Sequence, residues 1–180
     1  MVVQTSSQPG NQTDSEVVIR PATAADADAI ARVHVSSWRG AYAHVLPAEY
    51  LDSVDPAARA KKWTEILASG RRTTLVAEAN ERILGFASYG PSRDEDAEDG
   101  YLELYAIYLD VESWGRGVAR QLMRTVLADV PDGVPMTLWV LEQNERARHF
   151  YRRHGFQTDG VERIDDIAGR PVTEVRYRRG

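Results

Sequence analysis

The chain has 180 residues, of which 43% are hydrophobic and none is cysteine. This length and composition allow a single buried core and indicate one domain, and the lack of cysteine excludes disulfides, thiolate metal sites and a cysteine nucleophile. The formal net charge of -5 argues against nonspecific nucleic-acid binding, and no apolar run approaches the length of a membrane span.

The first 16 residues are polar and lack the basic-then-apolar order of a signal peptide. They predict a disordered tail over residues 1–16, followed by a single domain over residues 17–180. Because nothing in the chain indicates export or membrane insertion, we expect a cytoplasmic protein.

The elements of this domain are predicted from hydrophobic periodicity and from glycine and proline positions. They are a strand at 17–20, a helix from 23 to about 38, a helix at 55–69, a hairpin at 73–79 and 82–89, a strand at 102–109, a helix from 117 to 130, a strand at 136–141, a helix at 144–154, and a closing pair of strands at 156–161 and 173–178. The connection over residues 36–51 contains glycine and proline and is expected to be broken. An acidic loop, residues 92–100, leads into the strand at 102–109.

The segment at 102–130 has the form strand, glycine-rich turn, helix. Its strand, LELYAIYL, is apolar enough to be buried on both faces, and Gly115 and Gly117 precede an amphipathic helix. The first N–H groups of a helix lack intrahelical partners, and glycines let an anion approach the main chain closely. The segment therefore predicts a phosphate-binding cradle.

Residues 114–119, WGRGVA, resemble the acyl-coenzyme A motif of the GNAT N-acetyltransferase superfamily, [RQ]-x-x-G-x-[GA], with Trp114 in place of Arg or Gln. Residues 138–156, LWVLEQNERARHFYRRHGF, resemble the superfamily's fifth strand and the helix that follows it. The predicted element order is also that of the GNAT fold. The resemblance implies an α/β fold with a central, mixed, mostly antiparallel sheet flanked by helices, and acetyl-CoA as cosubstrate.

The resemblance also implies roles for individual residues. Tyr151 would stand near the thioester sulfur as the acid, and Glu103 would be the general base. Coenzyme contacts are implied for Ile107, Tyr108, Leu109, Gly115, Arg116, Gly117, Val118, Ala119, Arg120 and Asn144. The region around Trp38 and Tyr42 would shape the acceptor site.

Each of these roles has a structural alternative. Asn144 is also a suitable helix N-cap and Tyr151 a suitable buried aromatic, although their seven-residue spacing puts them on one helical face. A carboxylate in an apolar strand, as at Glu103, is costly to bury unless it is paired or used; the alternative is a strand-end carboxylate that faces solvent. The arginines at 146, 148, 152 and 153 are interpreted as a surface cluster, with a rim for phosphate as the functional alternative.

The four histidines do not have the spacing of a helical zinc pair, so no metal site is expected. With no thiol available, direct attack of an amine on the thioester is the simplest route. We therefore predict an acetyl-CoA-dependent N-acetyltransferase acting on a primary amine of a small molecule or protein, with a non-catalytic CoA-binding sensor or interaction module as the alternative. A cationic acceptor is expected, because the acidic loop lies beside Glu103. The oligomeric state is open, with a homodimer as one possibility, and neither nucleic acid nor membrane is an expected partner.

Overall fold

The computed structural model describes residues 16–44 and 46–180. The tail predicted over residues 1–16 lies, apart from Glu16, outside the described residues. Within the described ranges, no helix combines the length and the apolar character needed to cross a membrane.

The elements follow one another in the predicted order, with one short helix added. The strands are β1 (Val18–Pro21), β2 (Thr73–Ala79), β3 (Arg82–Pro91), β4 (Leu102–Leu109), β5 (Met136–Leu141), β6 (Gln157–Ile167) and β7 (Arg170–Arg179). The helices are α1 (Ala27–Tyr42), α2 (Ala48–Ser53), α3 (Pro56–Ser69), α4 (Val118–Asp129) and α5 (Glu145–Arg153).

The strands form one sheet in the order β1-β2-β3-β4-β5-β7-β6. Neighbouring strands are antiparallel except for β4 and β5, which run parallel. The predicted mixed, mostly antiparallel sheet is therefore confirmed. The parallel pair lies near the middle of the sheet, and α4 is the crossover between its two strands, as parallel pairing requires.

Helices cover both faces of this sheet. On one face, α1 and α3 pack through side chains such as Ile30 and Trp63 against Val76 and Phe86. On the other face, α4 and α5 pack against the alternate residues of the same strands, among them Leu75 and Ala77 of β2. Burying both faces of the central strands explains their nearly continuous apolar sequences.

A β-bulge interrupts β4. Leu104 pairs with Tyr89 of β3 and Ala106 pairs with Ser88, so Tyr105 is an extra residue without a β3 partner. The bulge shifts the alternation of side chains along the strand by one position.

As a result, residues five positions apart share a face of β4. Leu104 and Leu109 both belong to the core on the α4 side, whereas Tyr108 packs with the core on the α1 side. Glu103, the neighbour of Leu104, points to the α1 side as well. The bulge thus places Glu103 and Tyr108 on the same face of the sheet.

The structure differs from the sequence prediction over residues 36–51. α1 continues through Gly40 to Tyr42, and α2 adds a second helical piece, so most of this segment is helical. A Cβ atom on Gly40 would lie 2.9 Å from both Trp114 and Val111. Gly40 is therefore a close-packing position inside a helix and not a helix break.

The last two strands are longer than predicted and form a hairpin. Ala168 and Gly169 connect them, with φ values of 57° and 73°, as in a two-residue type I′ turn. β6 is exposed along nearly its whole length, so it lacks the apolar alternation that would have revealed its full extent.

Candidate active site

A cleft opens where the parallel strands diverge. β4 and β5 pair only from Leu102 to Leu104 and from Met136 to Leu138. Beyond these pairs the strands separate, so β4 main-chain groups that face β5 have no ladder partner there. The resulting cleft has a volume of about 610 Å³ and is lined from both faces of the sheet, by α1 on one side and by α4 and α5 on the other.

Glycines keep the α4 end of the cleft open. Gly115 and Gly117 have φ values of 79° and 80°, and a Cβ atom added to either would meet nothing within 4 Å. The first hydrogen bond of α4 runs from the N–H of Gln121 to the carbonyl of Gly117, so the preceding N–H groups have no intrahelical acceptor. This arrangement fits a pyrophosphate group.

Most residues predicted to contact the coenzyme line this cleft. They are Ile107, Tyr108, Leu109, Gly115, Gly117, Val118, Ala119, Arg120 and Asn144. Arg116 is exposed and does not belong to the lining. The glycine turn of the sequence motif thus lies at the cleft, and Arg120, one helical turn further along, lines it whereas Arg116 does not.

Trp114, which departs from the family motif, is also part of the lining. Its indole Nε1–H donates to the carbonyl of Leu109 at 3.3 Å, and the guanidinium of Arg146, from α5, lies 4.3 Å from its ring centroid. Arg146 is exposed, as expected for a surface cluster, and it also borders the cleft, beside the position where the motif usually has Arg or Gln.

Asn144 and Tyr151 both reach the cleft from α5. Asn144 is the helix N-cap, because its side-chain oxygen accepts from the N–H of Ala147 at 3.1 Å. This bond leaves the amide NH₂ group of Asn144 available to a ligand. The structural alternative considered for Asn144 is therefore present, and it is compatible with a binding role.

Three tyrosines surround the middle of the cleft. Burial, and secondarily Tyr108, raise the pKa of the Tyr151 phenol well above its usual value. Burial also raises the pKa of Tyr42, followed in size by the effects of Tyr108, Glu174 and Tyr151. These phenols stay protonated at neutral pH and can donate hydrogen bonds to a developing negative charge.

Glu103 is buried and paired. Its side chain is 2% exposed, and Arg93 donates to it from the main-chain N–H and Nε to Oε2, both at 3.0 Å, and from Nη2 to Oε1 at 2.5 Å. These bonds occupy three of the roughly four lone-pair positions of a carboxylate. Glu103 lines the cleft and at the same time holds the acidic loop against β4.

Two carboxylates of the acidic loop, Asp94 and Asp96, have partners in the structure. Asp94 accepts from Trp139 Nε1 at 2.8 Å, and Asp96 forms a bidentate pair with the buried Arg176 at 2.5 and 2.7 Å. Ion pairing reduces the long-range attraction that free carboxylates would exert. Fewer carboxylates of the loop are therefore free to attract a cationic acceptor than the sequence of the loop indicates.

Glu174 of β7 is a second carboxylate in the cleft lining, and sequence analysis did not single it out. Its Oε2 atom pairs with Nε and Nη2 of Arg163, each at 2.7 Å. The Arg163 guanidinium in turn stacks on the ring of Trp139, 4.1 Å from its centroid. A lone acidic residue among the other charged residues of β7 carries no sequence signal that could have identified it.

Trp38 does not line the cleft. It packs between His34 and Tyr42, at centroid distances of 5.7 and 4.9 Å, and so supports Tyr42, which does line the cleft. In the described part of the chain, no group of three or more metal-binding side chains is close enough to hold an ion.

Comparison with known proteins agrees with this geometry. The acetyltransferase (GNAT) family pattern matches residues 34–156. YuaI, an uncharacterized N-acetyltransferase of Bacillus subtilis (strain 168), is 37% identical over 162 residues, which cover 88% of this chain and 90% of YuaI.

Solved structures show the same fold. The PaiA N-acetyltransferase of Thermoplasma acidophilum, in complex with coenzyme A, superimposes with a TM-score of 0.67 at 19% identity, covering 91% of this chain and 98% of PaiA. An N-acetyltransferase of Staphylococcus aureus Mu50 gives a TM-score of 0.72 at 22% identity, covering 91% and 98% of the two chains. With the family pattern spanning the cleft and its cradle, the chain belongs to the acetyltransferase (GNAT) family.

Proposed function

We propose that this protein transfers the acetyl group of acetyl-CoA directly to a primary amine of a small molecule or a protein in the cytoplasm. The observation that carries the proposal is one continuous cleft. It leads from the glycine cradle before α4, through the gap between β4 and β5, to Tyr42 on α1. The glycine turn before α4 and the carboxylates on the α1 side of the sheet thus line one space.

The coenzyme would bind to the α4 side of this cleft. The main-chain N–H groups around Gly117 would hold the pyrophosphate, with Arg120 and Arg146 as nearby cations. The main-chain groups of residues 107–109 that face β5 and have no partner would bond the pantetheine arm, and the free amide of Asn144 would add a donor. PaiA, which has the same fold, holds coenzyme A.

The reaction requires one bond to form and one to break. The amine nitrogen attacks the acetyl carbonyl carbon, the carbon–sulfur bond breaks, and the thiolate leaves. An acceptor that arrives as an ammonium loses two protons, one before its nitrogen attacks and one afterwards. One proton ends on the sulfur and the other is released to water, so the products are an amide, the free thiol and one proton.

Tyr151 would act at the leaving sulfur. Its raised pKa keeps the phenol protonated, but it also makes the phenol a weaker acid than the thiol it would protonate. Its main contribution is therefore a hydrogen bond that stabilises the departing thiolate, which then takes its proton from water.

Glu103 would accept the proton from the amine. With three lone-pair positions taken by Arg93, the remaining position on Oε1 is the one open to an amine or to an intervening water. The rigid salt bridge fixes where that oxygen stands, which favours a well-defined attack geometry. The acceptor would arrive as a cation, since an alkylamine is mostly protonated at neutral pH.

The proposal is tested with two glycine variants. Gly117→Glu puts bulk and negative charge into the cradle, whereas Gly133→Glu makes the same change in a loop outside the cleft lining. The two positions have nearly equal φ values, 80° and 79°, and both are open to an added side chain, so backbone strain is matched. Acetyl-CoA should raise the Tm of the parent and of Gly133→Glu by mass action, and Gly117→Glu should lose this rise.

Release of free CoA from acetyl-CoA is then measured with a panel of amines. A thermal shift retained by Gly117→Glu would contradict the cradle assignment. Binding of acetyl-CoA without release of CoA in the presence of any amine would favour the alternative, a CoA-binding module without catalysis.

A further inference from the structure

Two carboxylates line the cleft, and their hydrogen bonding differs. Both oxygens of Glu103 accept bonds from Arg93. In Glu174, Arg163 engages only Oε2, and no described residue donates to Oε1. Glu174 therefore has a free carboxylate oxygen in the cleft, although its side chain is only 15% exposed.

Glu174 lies on the α1 side of the sheet. It is the register partner of Leu141 on β5, and Leu141 packs with Tyr42 in a cluster formed by α1, α2 and the β6–β7 hairpin. Cross-strand partners point to the same face. Glu174 is thus on the face opposite the glycine cradle, where an acceptor would enter if the coenzyme binds from the α4 side.

Electrostatic coupling also places Glu174 near the phenols. After burial and Tyr108, the Glu174 carboxylate is the next largest cause of the raised pKa of Tyr42, ahead of Tyr151. A negative charge that disfavours ionisation of the Tyr42 phenol equally favours a cation placed beside it.

We propose that Glu174 binds the ammonium group of the acceptor through Oε1. The inference rests on the proposed function and names the substrate class at the same site: a primary alkylammonium whose adjacent methylene groups pack against the ring of Tyr42. Aromatic surface beside a carboxylate suits such a cation, because the ring faces and the carboxylate both attract it.

Arg163 is a positioning residue in this arrangement. By holding Oε2 through a hydrogen bond from Nε and an ion-pair contact from Nη2, and by stacking on Trp139, it fixes the direction of the other oxygen. It also neutralises the resting charge of Glu174, so the carboxylate is not left unpaired in a largely buried place when no acceptor is bound.

Glu174→Gln tests the assignment, since the amide keeps the shape and removes the charge. Loss of one charge-assisted hydrogen bond predicts a rise of roughly 10- to 100-fold in the KM of the amine acceptor. The KM of acetyl-CoA and the Tm should change little, because Glu174 lies on the face of the sheet opposite the cradle and its partner Arg163 is 45% exposed, so water can replace the lost ion pair. Glu162→Gln, which removes an exposed charge from β6 outside the cleft lining, should match the parent.

Initial rates of CoA release are measured with spermidine, n-butylamine, a peptide with a free lysine side chain and a peptide with a free N-terminus. If the parent acetylates none of these, the proposed function fails and the inference fails with it. If the parent is active and Glu174→Gln keeps the parental acceptor KM, the inference alone is overturned.

Glu174→Asp provides a second test if the glutamine variant does not fold. The shorter carboxylate keeps the charge, so an acceptor KM between those of the parent and a neutral variant is expected, with the KM of acetyl-CoA unchanged. A loss of kcat and Tm without any change in acceptor KM would mean that Glu174 is only structural.

Discussion

The pair formed by Arg93 and Glu103 makes a quantitative prediction about stability. Replacing Arg93 with Met removes two of the three donors to a carboxylate that is 2% exposed, while the main-chain N–H remains. Breaking a fully buried ion pair costs about 3–5 kcal/mol. Because the Arg93 side chain is 56% exposed and water can reach that side, we expect a loss of about 2–3 kcal/mol.

This loss corresponds to a decrease in Tm of roughly 4–12 °C for a domain of this size. It is measured by thermal and urea unfolding of the parent, Arg93→Met, Glu103→Gln and the double variant. The double variant should cost less than the sum of the single variants by about 1–2 kcal/mol, because an unpaired amide is cheaper to bury than an unpaired carboxylate.

Arg72→Met is the matched control. Arg72 and Arg93 both stack on the ring of Tyr105, at 4.5 and 4.3 Å, so this variant removes a similar stacking contact without unpairing Glu103. It should cost less than about 1 kcal/mol. A Tm for Arg93→Met close to that of the control, or strict additivity in the double variant, would refute the reasoning.

The Glu103→Gln variant also tests whether Glu103 is the general base. If Glu103 accepts the amine's proton, Glu103→Gln should lower kcat/KM most near pH 7 and progressively less as alkaline pH deprotonates the amine in solution. A pH profile parallel to that of the parent would leave Glu103 with the anchoring role alone.

Two further predictions concern other buried groups. Tyr151→Phe should lower kcat by roughly 10- to 1000-fold with little change in acetyl-CoA affinity, measured by steady-state kinetics and thermal shift; unchanged turnover would make Tyr151 a packing residue. Burial, and secondarily Arg59, lower the pKa of His34 to about 3. Below pH 6.5 the unfolded state therefore binds a proton that the native state does not. The free energy of unfolding should fall by up to about 1.4 kcal/mol for each unit by which the pH is lowered between roughly pH 6 and 4. In urea titrations, His34→Gln should flatten the dependence of the free energy of unfolding on pH, whereas substitution of the exposed His149 by Gln should leave it unchanged. Equal pH dependence in both variants would contradict the assignment of this effect to His34.

Several features could be predicted from the sequence because they depend on neighbours along the chain. A buried strand followed by Gly115, Gly117 and an amphipathic helix is sufficient to predict an anion-binding turn, since the helix start and the glycine conformations are local properties. The seven-residue spacing of Asn144 and Tyr151 likewise predicted that both reach one cleft from α5.

The other half of the cleft depends on contacts between distant parts of the chain. Arg93 meets Glu103 across a strand connection, and Arg146 meets Trp114 across the gap between β4 and β5. Glu174 enters the cleft only because a long, exposed hairpin pairs with β5. Charged side chains on exposed strands leave no hydrophobic period, so no local pattern indicates which of them will lie together.

The bulge at Tyr105 and the helical Gly40 show the same limit at the level of the backbone. A one-residue shift on β4 decides that Glu103 and Tyr108 share a face, and a glycine that normally weakens a helix is kept because Trp114 fills the space beside it. Both outcomes follow from packing against elements far away in the sequence. Such packing can override local propensity, because the free energy of burying a side chain exceeds the few tenths to about 1 kcal/mol by which residues differ in helix or strand preference.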